Sequence, residues 1–176
     1  MVANANIIRE GELEFSFSQQ GLAEKYDSWA HYRNQFQSSF GGSKAVDFLY
    51  VEKGTVWMLE VKDYRNHPRT KSIDLAEEVA FKIRDTLAGL VSAQFYANDA
   101  DEKKFARELL ACRHIHCVLH LEYPKKSRLR PAAIDPASVF SALKKIIKAI
   151  DPHPRIVHGE APDAVRMPWQ VQRIKA

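Results

Sequence analysis

The stretch Lys44–Arg65, KAVDFLYVEKGTVWMLEVKDYR, decides the fold. Apolar and β-branched residues flank the dipeptide Lys53-Gly54 on both sides, the pattern of two strands joined by a tight turn. A two-residue turn pairs Glu52 with Thr55, and every later pair follows from that register. Tyr50 then faces Trp57, Phe48 faces Leu59 and Val46 faces Val61 on one side of the hairpin. On the other side Val51 faces Val56, Leu49 faces Met58 and Asp47 faces Glu60, with Lys62 pointing the same way as Glu60. A three-residue turn with a bulge at Gly54 is the alternative; it would shift the register and part the two acids. Near its turn the hairpin is apolar on both faces, so it belongs inside a sheet covered on both sides. Two carboxylates opposed in such a place repel each other and lose hydration. A cation must stand between them, either Lys62 or a metal ion. Local rule-breaking of this kind marks a functional site.

Working outward, Glu12–Ser18 alternates with Leu13, Phe15 and Phe17 on one face, which predicts a half-exposed strand. Gly21–Phe40 carries Leu22, Tyr26, Trp29, Phe36 and Phe40 at helical spacing and predicts an amphipathic helix that stops at Gly41-Gly42. Glu24 lies opposite Leu22 and Trp29 on that helix and reads as a solvated acid. After Lys62, Pro68 imposes a loop that holds Arg65, Arg69 and Lys71 with Tyr64 and His67 between them, a composition suited to a phosphate backbone. A long helix follows, with Ser72 as the expected N-cap, Asp74 and Glu77 in its first turns, and a buried stripe from Ile73 to Phe95. Ala111–Glu122 predicts a strand with Ile115, Cys117, Leu119 and Leu121 on one face and Cys112, His114, His116, Val118 and His120 on the other. Residues two apart on a strand lie about 6.5 Å from each other, so this histidine row does not wrap a tetrahedral ion by itself. Lys125, Lys126, Arg128 and Arg130 make a basic turn. Asp135-Pro136 opens a last helix, and short strands are expected at Arg155–His158 and Met167–Ile174.

The pattern Val46-Asp47, a spacer of about a dozen residues, then Glu60-Val61-Lys62 resembles the motif of the PD-(D/E)XK nuclease superfamily. The leading proline of that motif is Val46 here, and the likeness extends at most from Leu22 to Leu121. The superfamily runs three strands after its first helix where only two are read here. Either a short strand hides near Gln37–Ser43 or the Glu12–Ser18 strand fills the place. The resemblance implies a restriction-endonuclease-like fold and a metal-dependent nuclease that hydrolyses phosphodiester bonds, with DNA as the expected partner. It implies Mg²⁺ or Mn²⁺ held by Asp47, Glu60 and the Val61 carbonyl, and a catalytic set of Asp47, Glu60 and Lys62. Lys62 would orient or deprotonate the attacking water, its pKa lowered by carbon-rich surroundings and the ion. Arg65, Arg69 and Lys71 would bind the nucleic acid. A catalytically inactive nucleic-acid-binding or assembly subunit is the alternative, and an ion-pair cluster that only holds the hairpin is a third reading.

Length and composition set the frame. The 176 residues, 45% hydrophobic and 27% charged, suit a single α/β domain spanning 1–176, with a central mixed β-sheet flanked by helices. Its core is expected over about 12–122, with a helix and short strands over 135–176. No segment is apolar enough to span a bilayer and no signal-peptide core opens the chain, so a cytoplasmic protein without membrane contact is expected. Cys112 and Cys117 fall on opposite faces of one strand, which disfavours a disulfide. The net charge of +4 fits a polyanion ligand. A lone domain without a recognition module suggests a homodimer or a targeting partner protein.

Overall fold

The computed structural model describes residues 6–124, 134–159 and 167–174. In chain order they form β1 (Ile7–Glu10), β2 (Leu13–Phe17), β3 (Leu22–Lys25), β4 (Phe48–Glu52), β5 (Thr55–Asp63), α1 (Leu75–Tyr96), α2 (Ala100–Leu110), β6 (His114–Glu122), α3 (Pro136–Ile147), β7 (Arg155–Val157) and β8 (Trp169–Arg173). The basic turn at 125–130 lies outside the described residues.

The Lys53-Gly54 turn sets the centre of the fold. Both residues have positive φ, 49° and 72°, the backbone of a type I′ turn whose twist matches the strands it joins. β4 and β5 pair from Glu52↔Thr55 to Phe48↔Leu59. The two-residue register therefore holds over these five pairs and the bulged one does not; it does not extend to Val46 and Val61, which lie in different apolar layers. β5 continues on its other edge as the parallel neighbour of β6, from Thr55↔His114 to Asp63↔Glu122. The main sheet is mixed, in the order β3-β4-β5-β6-β7, with both β5–β6 and β6–β7 parallel.

Each face of that sheet has its own cover. Leu49, Val56, Met58, Cys117, Leu119 and Leu121 pack beneath the helices, with Val79, Ile83 and Leu90 of α1 and Leu143 of α3. Phe48, Tyr50, Leu59, Val61 and Val118 pack on the opposite side beneath Leu13, Phe15, Phe17 and Trp169. Those last four residues belong to a second, three-stranded sheet of order β1-β2-β8. Alternation along β5 thus sends successive side chains into two separate apolar layers, which is why both faces of the hairpin are apolar in the sequence. Among the described residues no helix is long and apolar enough to cross a membrane.

The helix expected over Gly21–Phe40 does not form. Leu22–Lys25 pairs antiparallel with Val51–Phe48 as an edge strand, supplying the third strand of the meander. A 3₁₀ turn (Tyr26–Ser28) and a π turn (Tyr32–Phe36) follow. Their rings, Tyr26, Trp29, Tyr32 and Phe36, are buried against the helical layer. Gly89 makes this docking possible, since a Cβ there would stand 2.1 Å from the Tyr26 hydroxyl. At α1 the N-cap is Asp74, whose carboxylate accepts from the Ala76 N–H, and not Ser72. The α3 start is as expected: Asp135 caps and Pro136 occupies the first turn. Cys112 and Cys117 are both free thiols.

Candidate functional site

The register brings Asp47, Glu60 and Lys62 to one place on the helical side of the sheet. Asp47 is held by an unusual bond: its Oδ2 accepts from the Val61 N–H at 2.6 Å. One residue along, Glu60 is 1% exposed. Its Oε1 lies 2.6 Å from the Lys62 ammonium and 2.6 Å from that of Lys82. Lys82, on α1, also stands 3.5 Å from Asp47 Oδ1. The cation that the facing acids demand is therefore chiefly Lys82, a residue that the hairpin alone does not reveal. Burial and the facing Asp47 push the Glu60 carboxyl up to about 7, against the pull of Lys82 and Lys62.

A third carboxylate completes the network. Glu78, one turn before Lys82 on α1, is fully buried. It meets Lys62 at 3.4 Å, Arg69 at 2.9 Å and Lys71 at 2.5 Å. Burial opposes its charge, but Lys71, Lys62 and Arg69 hold its carboxyl down at about 2. Burial likewise works against the charge of Lys62, yet Glu60, Glu78 and Asp47 outweigh it and keep the ammonium above its ordinary range. The expectation that the Lys62 pKa is lowered is therefore corrected: three carboxylates, Glu60, Glu78 and Asp47, hold it up. Three carboxylates (Asp47, Glu60, Glu78) face four cations (Lys62, Arg69, Lys71, Lys82) in one network.

This arrangement fits a divalent ion only in part. Two carboxylates converge, and Glu60 Oε2 is buried without a hydrogen-bond partner. Two ammonium groups, however, already stand against them. Among the described residues no group of three or more His, Cys, Asp or Glu side chains is arranged to hold a metal. The histidines of β6 separate accordingly. His114 is exposed, His116 lies against Trp57, and His120 is buried with Nε2 2.8 Å from Glu122 Oε1.

The loop cations are drawn inward. Arg69 donates to the Lys71 and Ile73 carbonyls and to Glu78. Arg65 makes a two-pronged pair with Asp63. Of the three residues read as nucleic-acid contacts, Lys71 has the most exposed side chain, at 59%. Glu24 sits on β3 and faces Asp101 and Glu102 across a shallow acidic hollow, away from the Asp47 cluster.

A cavity of about 560 Å³ opens at the carboxyl ends of β5 and β6, lined by Arg65, Glu122, Tyr123, His158, Gly159 and Arg173 among others. In open α/β sheets this end of parallel strands is where ligands bind. Glu122 Oε1 is fixed by His120 and by the Gly159 N–H at 2.7 Å. The Arg65 and Arg173 guanidiniums reach one oxygen of Glu12, at 3.7 and 3.0 Å. None of these lining residues except Arg65 stood out in the sequence, because they meet only when β8 crosses the far side of the sheet.

Comparison with known proteins gives one match of note. A cysteine–tRNA ligase from Neisseria meningitidis serogroup A is 33% identical over 204 aligned residues, which cover 93% of this chain and 29% of that protein. The chain thus spans under a third of its relative's length. No family model and no solved structure matches. The match overturns the nuclease reading. The relative is named for joining cysteine to tRNA, a ligase and not a hydrolase of phosphodiester bonds. The short motif Asp47…Glu60-Val61-Lys62 therefore does not carry membership of the PD-(D/E)XK superfamily, and the restriction-endonuclease-like assignment is withdrawn with it. What stands is one α/β domain with a mixed sheet flanked by helices and a second small sheet.

Proposed function

We propose that the chain is a nucleic-acid-binding module with tRNA as its ligand, working as one part of tRNA-charging machinery. The observation that carries this reading is the similarity of nearly the whole chain to a segment of a cysteine–tRNA ligase. Because the chain corresponds to 29% of that protein, the complete ligation reaction is not assigned to it alone. Its charge is compatible with the same reading: a net +4 favours a polyanionic ligand. Lys71 on the loop and Arg173 at the cavity rim present exposed cationic side chains.

Fluorescence anisotropy with labelled tRNA and a DNA duplex of equal charge, read across a salt series, tests this. Affinity for tRNA should exceed that for the duplex and should fall with salt. Lys71→Ala should flatten the slope of log K against log salt by about one unit. Equal weak binding to both nucleic acids, or none, would refute the reading.

A second proposal concerns the Asp47–Glu60 pair. Mg²⁺ or Mn²⁺, with the Val61 carbonyl as a third oxygen, competes there with the Lys82 ammonium. Glu60 Oε2, buried without a hydrogen-bond partner, supports this, and the melting experiment in the Discussion checks it.

A further inference from the structure

We propose that the cavity at the carboxyl ends of β5 and β6 binds one ribonucleotide unit, with its phosphate on Arg173 and Arg65, its ribose hydroxyls on Glu122 and its base against Tyr123. This rests on the tRNA reading above and extends it to a specific pocket. The volume of about 560 Å³ lies inside the range of about 300–1,000 Å³ typical of small-ligand sites.

Each part of a nucleotide has a matching group. Glu12 Oε2 marks a point where an anionic oxygen is already held by two guanidiniums, Arg65 at 3.7 Å and Arg173 at 3.0 Å. A phosphate oxygen suits the same fork, since guanidinium recognises carboxylate and phosphate by the same geometry. Arg65 stays anchored by Asp63, so Arg173, 56% exposed, is the arm that can leave Glu12 for a ligand. Glu122 spends only Oε1 on the protein, on His120 and the Gly159 N–H. Its Oε2 has no protein partner among the described residues. A rigidly held carboxylate with one open oxygen is suited to a ribose hydroxyl, the group that tells RNA from DNA. Tyr123 and His158 stand edge to face, with centroids 5.9 Å apart and planes at 66°. Tyr123 lines the cavity while its ring also packs on the core, and stacking of a base on an aromatic ring is tolerant of base identity.

The alternative is that Arg65, Glu12 and Arg173 merely tie the small sheet to the main one. The two readings give opposite results for one substitution. If Glu12 competes with phosphate, Glu12→Gln strengthens nucleotide binding; if it is only a tie, Glu12→Gln leaves binding unchanged and lowers stability.

The test is calorimetric titration of the full chain with AMP, 2′-deoxy-AMP and adenosine, for wild type, Arg173→Ala, Glu12→Gln and Tyr123→Ala. AMP should bind saturably, with 2′-deoxy-AMP about tenfold weaker for the loss of one charge-assisted bond, and adenosine weaker still because it lacks the phosphate that Arg173 and Arg65 share. Arg173→Ala should weaken AMP about tenfold while leaving adenosine unchanged, Glu12→Gln should tighten AMP several-fold, and Tyr123→Ala should weaken all three ligands alike. Arg173 is exposed, so Arg173→Ala should fold; Tyr123 also packs on the core, so Tyr123→Phe, which keeps the ring, is measured beside Tyr123→Ala, and circular dichroism checks all variants. Absence of saturable AMP binding, equal binding of AMP and 2′-deoxy-AMP, or indifference to Arg173→Ala and Glu12→Gln overturns the proposal. If tRNA binds while AMP behaves in any of these ways, the pocket alone is refuted. If AMP shows the full pattern while tRNA does not bind, the tRNA reading alone is refuted.

Discussion

Replacing Lys82 by methionine removes one of the two ammonium groups on Glu60 while keeping most of the buried hydrocarbon. The cost should depend on pH, and the structure fixes its sign. Glu60 in the folded chain titrates near 7, above its ordinary 4.5. The folded state therefore holds more protons than the unfolded one between those values, and stability falls as pH rises through that window. Taking away Lys82, which stands 2.6 Å from Glu60 Oε1, should push the carboxyl up further by about two units. Each unit is worth about 1.4 kcal/mol. At pH 5.5 Glu60 is protonated in both proteins, and only the loss of the Asp47 contact and the packing change remain. At pH 9 wild type has ionised Glu60 beside two ammonium groups, whereas the variant must ionise it beside one or keep it protonated. The destabilisation should therefore be about 2 kcal/mol greater at pH 9 than at pH 5.5, a little short of two full units because the variant's carboxyl is only half ionised at pH 9. Urea unfolding at the two pH values measures it directly, with unchanged m confirming that the denatured state is the same. Equal destabilisation at both would refute the claim that Lys82 neutralises Glu60.

Further outcomes follow from the same geometry. With Lys82→Met, Mg²⁺ should raise the melting temperature by replacing the lost cation on Asp47 and Glu60, while wild type should respond weakly because Lys82 competes; identical responses would remove the proposed ion site. Glu78, held down at about 2, contributes stability that is present above its unfolded value of 4.5 and lost as pH falls toward 2, so Glu78→Gln should flatten the acid limb of the wild-type melting profile. Gly89→Ala should cost more than 2 kcal/mol on the scale of overpacked cores, since its Cβ meets the Tyr26 hydroxyl at 2.1 Å; a melting temperature within a degree of wild type would show that the Tyr26–Phe36 segment gives way. Gly54→Ala, at φ 72°, should cost about 1 kcal/mol by chemical denaturation, whereas the same change in an exposed turn with negative φ would stabilise.

The hairpin was legible because each of its pairs had two constraints, the period of two and the turn chemistry of Lys53-Gly54, and both gave one register. Gly21–Phe40 had only the spacing of its aromatic residues. That spacing fits a helix, but Leu22–Lys25 gains a full ladder along β4, and the buried rings that follow are placed by broken 3₁₀ and π turns. Intrinsic periodicity lost to a partner strand nearly thirty residues away. The charge cluster was half legible. Asp47, Glu60 and Lys62 announce themselves on the hairpin, whereas Glu78 and Lys82 look like surface residues of a charged helix. A signal was available: they are four residues apart, and Glu78 falls one turn after Asp74 and beside Leu75 and Val79 in the buried stripe. The cavity was illegible because Arg173 and Glu12 meet across 161 residues. The motif misled about family because three residues in a register can satisfy the electrostatics of a buried pair without the chemistry of cleavage.

The strands of the main sheet shorten outward: nine residues each in β5 and β6, four in β3 and three in β7. Its outer rims therefore offer only a few unpaired peptide groups to a neighbouring molecule. The long, strongly apolar strands that would nucleate fibrils if bare are the ones locked in the interior. A concentrated solution should consequently stay dispersed while the chain is folded, and the danger lies in the moments before β3 and β7 close the sheet. Newly made chains, or chains with a weakened Leu22–Lys25 edge, should be the ones that clump, without any change in the charge network at the centre.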